Sequence, residues 1–426
     1  MNSTLARISS NAPWTRTLQS FELKLPKAAE RQSDSYSVTF LNSTAAIPDE
    51  LWTAAFSPPC EGRWLYEALE GSRLENQFNF LYALISDRGA PVGVAPAFVM
   101  DVPIMRVTPE KLLRPLQILA RVMPSVLYQR TLFVGCPSST EGAIGLLPGC
   151  DARRAMLALQ DALEKKAREI GAELIVWKEM PPRHVPTLDW VMKRRRLFRT
   201  ASLPGTLVSF SSQKKIDYFA QLKGSRRYAL KKKLKLGAAE AELCFEMIQQ
   251  PPEDTLDEVY ELFRQTYLKS KMKFEELNRT WFTALAELPL TYFAILKEKR
   301  TGSIVAFMMC FACGQRLINK HVGFDYSKPK SWMLYFRLWD AVVDWTLARG
   351  FTSIHSGQTA YRAKIEMGHE LIPLVNYVRH RNPLLHEIYG RIAGSLDWEK
   401  LDEDLALFLK AHPEEKVACQ PWRARR

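Results

Sequence analysis

The chain lacks any apolar run approaching the ~18 residues that cross a bilayer, so no membrane-spanning helix is expected. Its opening, MNSTLARISSNAPWTRT, has no apolar centre of the kind a secretory signal carries, and residues 1–35 are expected to form a loose N-terminal arm. Cysteine is scarce and scattered, at seven residues. Cys310 and Cys313 stand close, as CFAC, but in a strand-like run with no second pair and no histidine at ligand spacing. No metal site is expected, and reduced thiols in a cytoplasmic protein suit this pattern. No row of stacking aromatics alternates with basic residues, so no familiar RNA-binding module is present.

Acidic residues are missing from two short tracts. Lys193, Arg194, Arg195, Arg196 and Arg199 form one; Lys223, Arg226, Arg227, Lys231, Lys232, Lys233 and Lys235 form the other. Their twelve positive charges account for nearly all of the net charge of +13, which leaves the remainder close to neutral. So concentrated a field attracts polyanions: a nucleotide phosphate, RNA or an anionic membrane surface. A solvated helix face is the competing reading. With 47% hydrophobic and 25% charged residues the composition is globular, and 426 residues exceed one ordinary core, so two domains are expected.

Two stretches repeat one order of elements. QFNFLYALISD and VGVAPAFVMD, separated by a turn at Arg88 to Pro91, read as adjacent antiparallel strands. PLTYFAILKEK and SIVAFMMCFACG, around Arg300 to Gly302, read the same way. Each pair is followed by strand, helix and strand: TLFVGC, 151–170 and AELIVWKEM, then RLINKHVGF, 331–349 and FTSIHS. A duplicated α/β unit is the simplest reading, with halves at 36–205 and 206–396, a boundary in LPGTLVSFSSQKK, and a C-terminal helix and tail at 397–426. In the helix at 331–349, Ser331 reads as N-cap, Leu334, Leu338, Ala341, Val342 and Trp345 share a face, and Arg349 and Gly350 end it. Two terminal helices are expected after Pro383.

The repeat does not explain an insertion at 102–130. There Leu112, Leu116, Leu119 and Met123 align on one helical face, with Lys111, Arg114, Arg121 and Arg130 around it. This suits a membrane-interface helix, a lid over an apolar acyl site, or an ordinary packed helix kinked at Pro115.

The densest polar cluster is SIHSGQTAYRAKIEMGHELIPLVNYVRHRNP, from Ser353 to Pro383. Gln358, Thr359, Tyr361, Lys364, Glu366 and His369 are costly to bury, yet they lie between two strand-like runs. Tyr361 to Gly368 reads as a helical turn, with Glu370 and Leu371 opening the next strand. These residues, with the upstream SWMLYFRLWDAVVDWTLARGF, resemble the GNAT-superfamily acyltransferases, in the FemAB-like and cellulose-cluster-like branch built from two GNAT-type halves. The FemX-like peptidyl transferases carry a strand, a turn, an aromatic, a lysine and a glycine-rich exit in this order. The likeness covers roughly Ser209 to Tyr389. Where the family has a second glycine after Gly368, this chain has His369.

The resemblance implies an α/β fold of two tandem GNAT-like mixed β-sheet halves flanked by helices, with an active cleft in the second half or between halves. It implies acyl transfer to an amine, which needs a base, an oxyanion donor and a phosphate cradle for the carrier. The cradle falls at Ser327, Lys328, Lys330 and Ser331, where the glycine-rich consensus is absent and side chains stand in its place. Lys364 matches the family's lysine at the transfer centre, a stabiliser of the carbonyl oxygen or leaving group. Tyr361 is a candidate proton donor or oxyanion partner. His321 is the preferred general base because an imidazole titrates near neutrality, with Asp325, Glu366, His369 and His355 as alternatives. Arg226 and Arg227, in SRRYALKKKLKL, are candidates for the ribose phosphate of coenzyme A, a tRNA acceptor arm or lipid head groups.

The expected activity is N-acylation of an amine by acyl-coenzyme A. The basic amphipathic insertion favours a long-chain or lipid amine, as in bacterial ceramide-type acylation of a sphingoid base, and a peripheral position on the inner face of the membrane. Two alternatives stand beside it: an aminoacyl-tRNA-dependent FemX-like transferase, and a non-catalytic protein that binds anionic surfaces.

Overall fold

A computed structural model describes residues 35–103, 128–270 and 275–415. The stripe of Leu112, Leu116, Leu119 and Met123, with Lys111, Arg114 and Arg121, lies outside the described residues.

Four antiparallel strands pair in chain order, the second and third joined by a short turn: β1 (Tyr36–Leu41), β2 (Asn79–Asp87), β3 (Ala90–Pro103) and β4 (Tyr128–Val134). The short β5 (Gly145–Leu146) adds to β3. The helix Ala152–Glu169 starts at Asp151, whose carboxylate accepts from the backbone N–H of Arg153 and Arg154. It leads to β6 (Leu174–Met180), which lies parallel to β4. After the helix Val185–Arg195 come β7 (Phe198–Ala201) and β8 (Gly205–Ser209).

The second half repeats the order. β9 (Leu243–Ile248), β10 (Thr291–Glu298), β11 (Ile304–Cys313) and β12 (Arg316–Phe324) are antiparallel neighbours, with β9 on the edge. The helix Leu334–Ala348 leads to β13 (Ser353–His355), parallel to β12. Then follow the short helix Tyr361–Glu366, β14 (Glu370–Ile372) and β15 (Val375–His380).

When β8 is counted with the first half, the last strand of each half pairs in the sheet of the other. β8 lies between β13 and β14, and β15 lies between β6 and β7, each antiparallel to both neighbours. The two mixed sheets are therefore built by reciprocal exchange of one strand. A large apolar core also crosses the halves: Trp52, Phe78 and Phe98 belong to the same cluster as Trp281, Phe293 and Phe307. Trp64 meets Phe311 edge-on at 4.8 Å within it.

β11 is buried on both faces, which is why IVAFMMCFAC reads as an almost unbroken apolar run. Cys310 and Cys313, three apart on that strand, face opposite sides and enter different cores, so they cannot share one ion. Among the described residues no group of three His, Cys, Asp or Glu is placed to hold a metal, and no helix is long and apolar enough to cross a membrane.

Two local expectations need correction. Ser331 does not cap the helix Leu334–Ala348: it sits in a preceding 3-10 turn with its Oγ 3.0 Å from Glu240. The N-cap is Met333, at φ 51° and with no side-chain bond to the helix. Among the described residues the chain from Pro383 forms three helices, Pro383–Gly394, Trp398–Leu401 and Glu403–Ala411, because Asp397 and Asp402 each open a new one.

Candidate functional site

β12 and β13 pair only from Arg316 opposite Ser353 to Ile318 opposite His355. Beyond that point β12 continues along β11 to Phe324, while the chain after His355 turns away. A parallel pair that parts in this way leaves a fork with unpaired backbone at its crotch. Two cavities meet there, of about 440 Å³ and 510 Å³, and Asn319, Lys320, Ser356 and Gln358 line both. The 510 Å³ cavity extends to the matching fork of the first half, where β4 and β6 part after Val134 and Trp177.

Lys364 enters this fork from the short helix Tyr361–Glu366. The preceding Thr359 and Ala360 hold φ of 64° and 51°, a left-handed backbone that non-glycine residues adopt at a cost. Lys364 is 4% exposed and lines the 440 Å³ cavity. Its Nζ donates to the carbonyl of Ser356 and, at 2.8 Å, to that of Gln358. No carboxylate pairs with it among the described residues, and burial brings its pKa down to about 7. A neutral amine has two N–H bonds, both used on these carbonyls, which leaves its lone pair free; the ammonium form has a third N–H in that position.

His369 is buried against Trp339, with ring centroids 4.6 Å apart. Its Nδ1 lies 2.9 Å from the carbonyl of Lys364, so Nδ1 carries the hydrogen. Nε2 is then the acceptor, 2.9 Å from Ser356 Oγ, which donates to it. Asn319 Nδ2 approaches the same hydroxyl at 3.4 Å. A serine hydroxyl bonded to an imidazole that is itself oriented by a third group is the arrangement that makes a hydroxyl a proton carrier or nucleophile. Burial first, and Lys364 second, hold His369 well below the ordinary imidazole pKa.

The remaining sequence candidates are engaged elsewhere. His321 lines the larger cavity, but its Nε2 accepts from Trp281 Nε1 at 3.1 Å, inside an aromatic cage with Phe263 and Phe282. A neutral imidazole has one acceptor nitrogen, so this bond occupies the lone pair a base would use. Burial also lowers its pKa well below the usual value. Tyr361 is fully buried with Trp398, Leu405 and Leu409, and its OH donates to the carbonyl of Pro204 at 2.8 Å, away from the fork. Asp325 closes a turn by accepting from the N–H and Oγ of Ser327, at 2.9 Å and 2.6 Å. Glu366 pairs with Lys233 and, at 3.7 Å, with Arg362. His355 accepts from the N–H of Gly357 at 3.2 Å, and burial pushes its pKa down to about 3.

The cradle differs from the expected one. Lys328 is held by Glu298 at 2.8 Å, Ser331 by Glu240 and Ser327 by Asp325, and Lys330 is exposed. What stays open is backbone: the N-terminus of Leu334–Ala348 has no side-chain cap, and its Tyr335 lines the 440 Å³ cavity. Unpaired N–H groups and the helix dipole at such an end suit a phosphate. The helix Gly224–Glu240 supports this turn through Gly237, where a Cβ would stand 2.7 Å from the carbonyl of Trp332. Arg337 Nη1 ties the contact by donating to the carbonyls of Gly237 and Ala241. On the same helix Arg226 lies over the Phe408 ring and lines a different cavity, and Arg227 lines neither cavity at the fork.

Residues 224–364 match the family model described as acetyltransferase (GNAT) domain. No curated protein matches the sequence. Among solved structures the chain is similar to FemX, at 10% identity and a TM-score of 0.55, over 83% of this chain and 100% of that one. It also aligns with a tandem GNAT protein from the clavulanic acid biosynthesis pathway, at 12% identity and a TM-score of 0.47, over 82% and 99% of the two chains. L-PGS from Bacillus licheniformis aligns at 13% identity and a TM-score of 0.43, over 62% and 83%. Residues 224–364 thus match a GNAT domain, and the two mixed sheets, each with a forked parallel pair, are similar in fold to FemX.

Proposed function

We propose that the protein is an N-acyltransferase that moves an acyl group from acyl-coenzyme A to an amine at the β12–β13 fork. The observation that carries this reading is the shared wall of the two cavities: Asn319, Lys320, Ser356 and Gln358 face both. A carrier entering by the smaller cavity and an amine entering by the larger would meet there. The uncapped N-terminus of Leu334–Ala348 supports a pyrophosphate on the carrier side. In the transfer the amine nitrogen bonds to the thioester carbonyl carbon and the C–S bond breaks. The amine proton passes to the lone pair of Lys364 Nζ and from there to the departing thiolate. Ser356 gives its one hydrogen to His369, so toward the fork its oxygen is an acceptor for an N–H of the incoming amine.

A second reading, transfer from an aminoacyl-tRNA, is favoured by the likeness to FemX and by Lys231, Lys232 and Lys235, which are exposed on the helix Gly224–Glu240. A lipid amine as acceptor, and with it a peripheral position on the cytoplasmic side of a membrane, belongs to the first reading. A thiol-release screen tests all of these, with short- and long-chain acyl-coenzyme A against small amines and sphingoid bases. Thiol release dependent on an amine, with thermal stabilisation by coenzyme A, supports acyl-coenzyme A transfer. Salt-sensitive tRNA binding without thiol release favours the second reading. Absence of both leaves a binding protein.

A further inference from the structure

The larger cavity holds polar groups to which acyl transfer itself gives no task. Lys320 Nζ lies 3.6 Å from Glu61 Oε1, and the two side chains are 8% and 5% exposed. Glu61 is already engaged, accepting from the N–H of Thr140 at 3.1 Å and from its Oγ1 at 3.1 Å. At 3.6 Å Lys320 has a charge partner but no hydrogen bond among the described residues, and Glu275 is a second carboxylate that interacts with it in the same cavity. Ser138 Oγ, on a residue 2% exposed, is likewise unpartnered. Both residues line the cavity. A buried donor without an acceptor costs free energy, and a bound anion would supply one to Ser138 while giving Lys320 the hydrogen bond that Glu61 does not.

Negative charge enters the same cavity from the fork of the first half. Glu179, at the end of β6, holds φ at 56°, clamped by a 2.7 Å bond from its N–H to Asn376 Oδ1 and a 2.8 Å bond from Gly142 to its carbonyl. A non-glycine residue in this costly backbone region persists only where its surroundings hold it there, as they do at functional sites. Its carboxylate, 13% exposed, pairs with Lys178 at 2.5 Å and lines the cavity. Positive and negative groups thus stand together in one cavity that reaches the β12–β13 fork.

We propose that the acceptor is a zwitterion, an amine that also carries a carboxylate or phosphate, with Lys320 and Ser138 binding its anionic group and Glu179 its ammonium. The role of this molecule as acceptor rests on the acyl-transfer reading; the subsite itself does not. The forks have then divided the work, the second for the carrier and the first for the acceptor.

Calorimetric titration of the full chain tests this with two pairs of probes: O-phosphoethanolamine against ethanolamine, and L-lysine against 1,5-diaminopentane. The anionic member of at least one pair is expected to bind about tenfold tighter or more than its partner, and which pair shows it distinguishes phosphate from carboxylate. Lys320→Met is expected to remove the advantage. Ser138→Ala deletes a hydroxyl with no internal partner, so it leaves the fold intact and weakens the anionic probe severalfold; it decides the matter if Lys320→Met fails to fold. Equal binding within both pairs, binding of no probe, an advantage that survives both substitutions, or inorganic phosphate binding as tightly as O-phosphoethanolamine overturns the proposal. No acyl donor is present in these titrations, so their failure is distinct from a failed thiol-release screen.

Discussion

Lys364 donates its side-chain hydrogen to the carbonyl of Ser356, the residue whose own hydroxyl turns toward His369. The amine and the hydroxyl are thereby fixed on the same few atoms of backbone. With Lys364 titrating at about 7, the wild-type transfer rate is expected to fall as pH drops through that value, because protonation removes the lone pair. Lys364→Met should be slower by about 100-fold or more and lose this dependence. A pH–rate profile of both proteins checks it; a fast, pH-dependent variant refutes the role.

The same buried lysine has a second consequence for stability. Its pKa is lowered on folding from 10.5 to about 7, so between those values the unfolded chain binds more protons and stability rises with pH. Below pH 7 both states are protonated and the burial penalty is present in full. Lys364→Met carries no such titration, so its stability relative to wild type should be higher at pH 6 than at pH 10, by about 3–5 kcal/mol. Urea unfolding at the two pH values measures it.

Ser356→Ala and His369→Gln should each lower kcat about tenfold or more with little change in KM for the acyl donor. The double variant should be no worse than the stronger single one, because the two residues act through one hydrogen bond. Additive losses would show that they act separately.

Tyr361→Phe is the contrasting case. The hydroxyl bonds the carbonyl of Pro204, between β7 and β8 and away from the fork, so turnover should stay near wild type while stability drops by about 1 kcal/mol. A large loss of kcat in a folded protein would return Tyr361 to the transfer centre.

Gly237→Ala forces a Cβ to within 2.7 Å of the Trp332 carbonyl, next to the turn that opens the helix Leu334–Ala348. The variant should lose roughly 1–3 kcal/mol of stability. It should also raise KM for acyl-coenzyme A more than it lowers kcat. Unchanged kinetics would place the carrier elsewhere.

The hairpins around Arg88 and Arg300 are legible in the sequence because alternation and a short turn are local signals. So is the helix before β13, though not its first turn, where Ser331 looks like a cap but is drawn off by Glu240. The family likeness points to Lys364 through its neighbours, and the structure puts that side chain at the fork. Tyr361 lies three residues away on the same short helix and faces a separate core, a difference that spacing alone does not convey. Ser356, Ser138 and Glu61 carry no local mark, since each matters only through partners distant in the chain. One signal was available: Asn319, Lys320 and His321 are three successive polar residues inside an otherwise apolar strand, a costly pattern unless something is bound or bonded there.

The exchanged strands also constrain the order of events on the ribosome. β8 emerges with the first half but has no β13 or β14 to pair with until the second half has been synthesised. The first sheet, in turn, keeps a gap between β6 and β7 until β15 arrives near the end of the chain. Neither half can mature as an early, self-sufficient product, and both sheets close in one late event. Removing one half would leave the other with a foreign strand missing from its sheet and its own last strand unpaired.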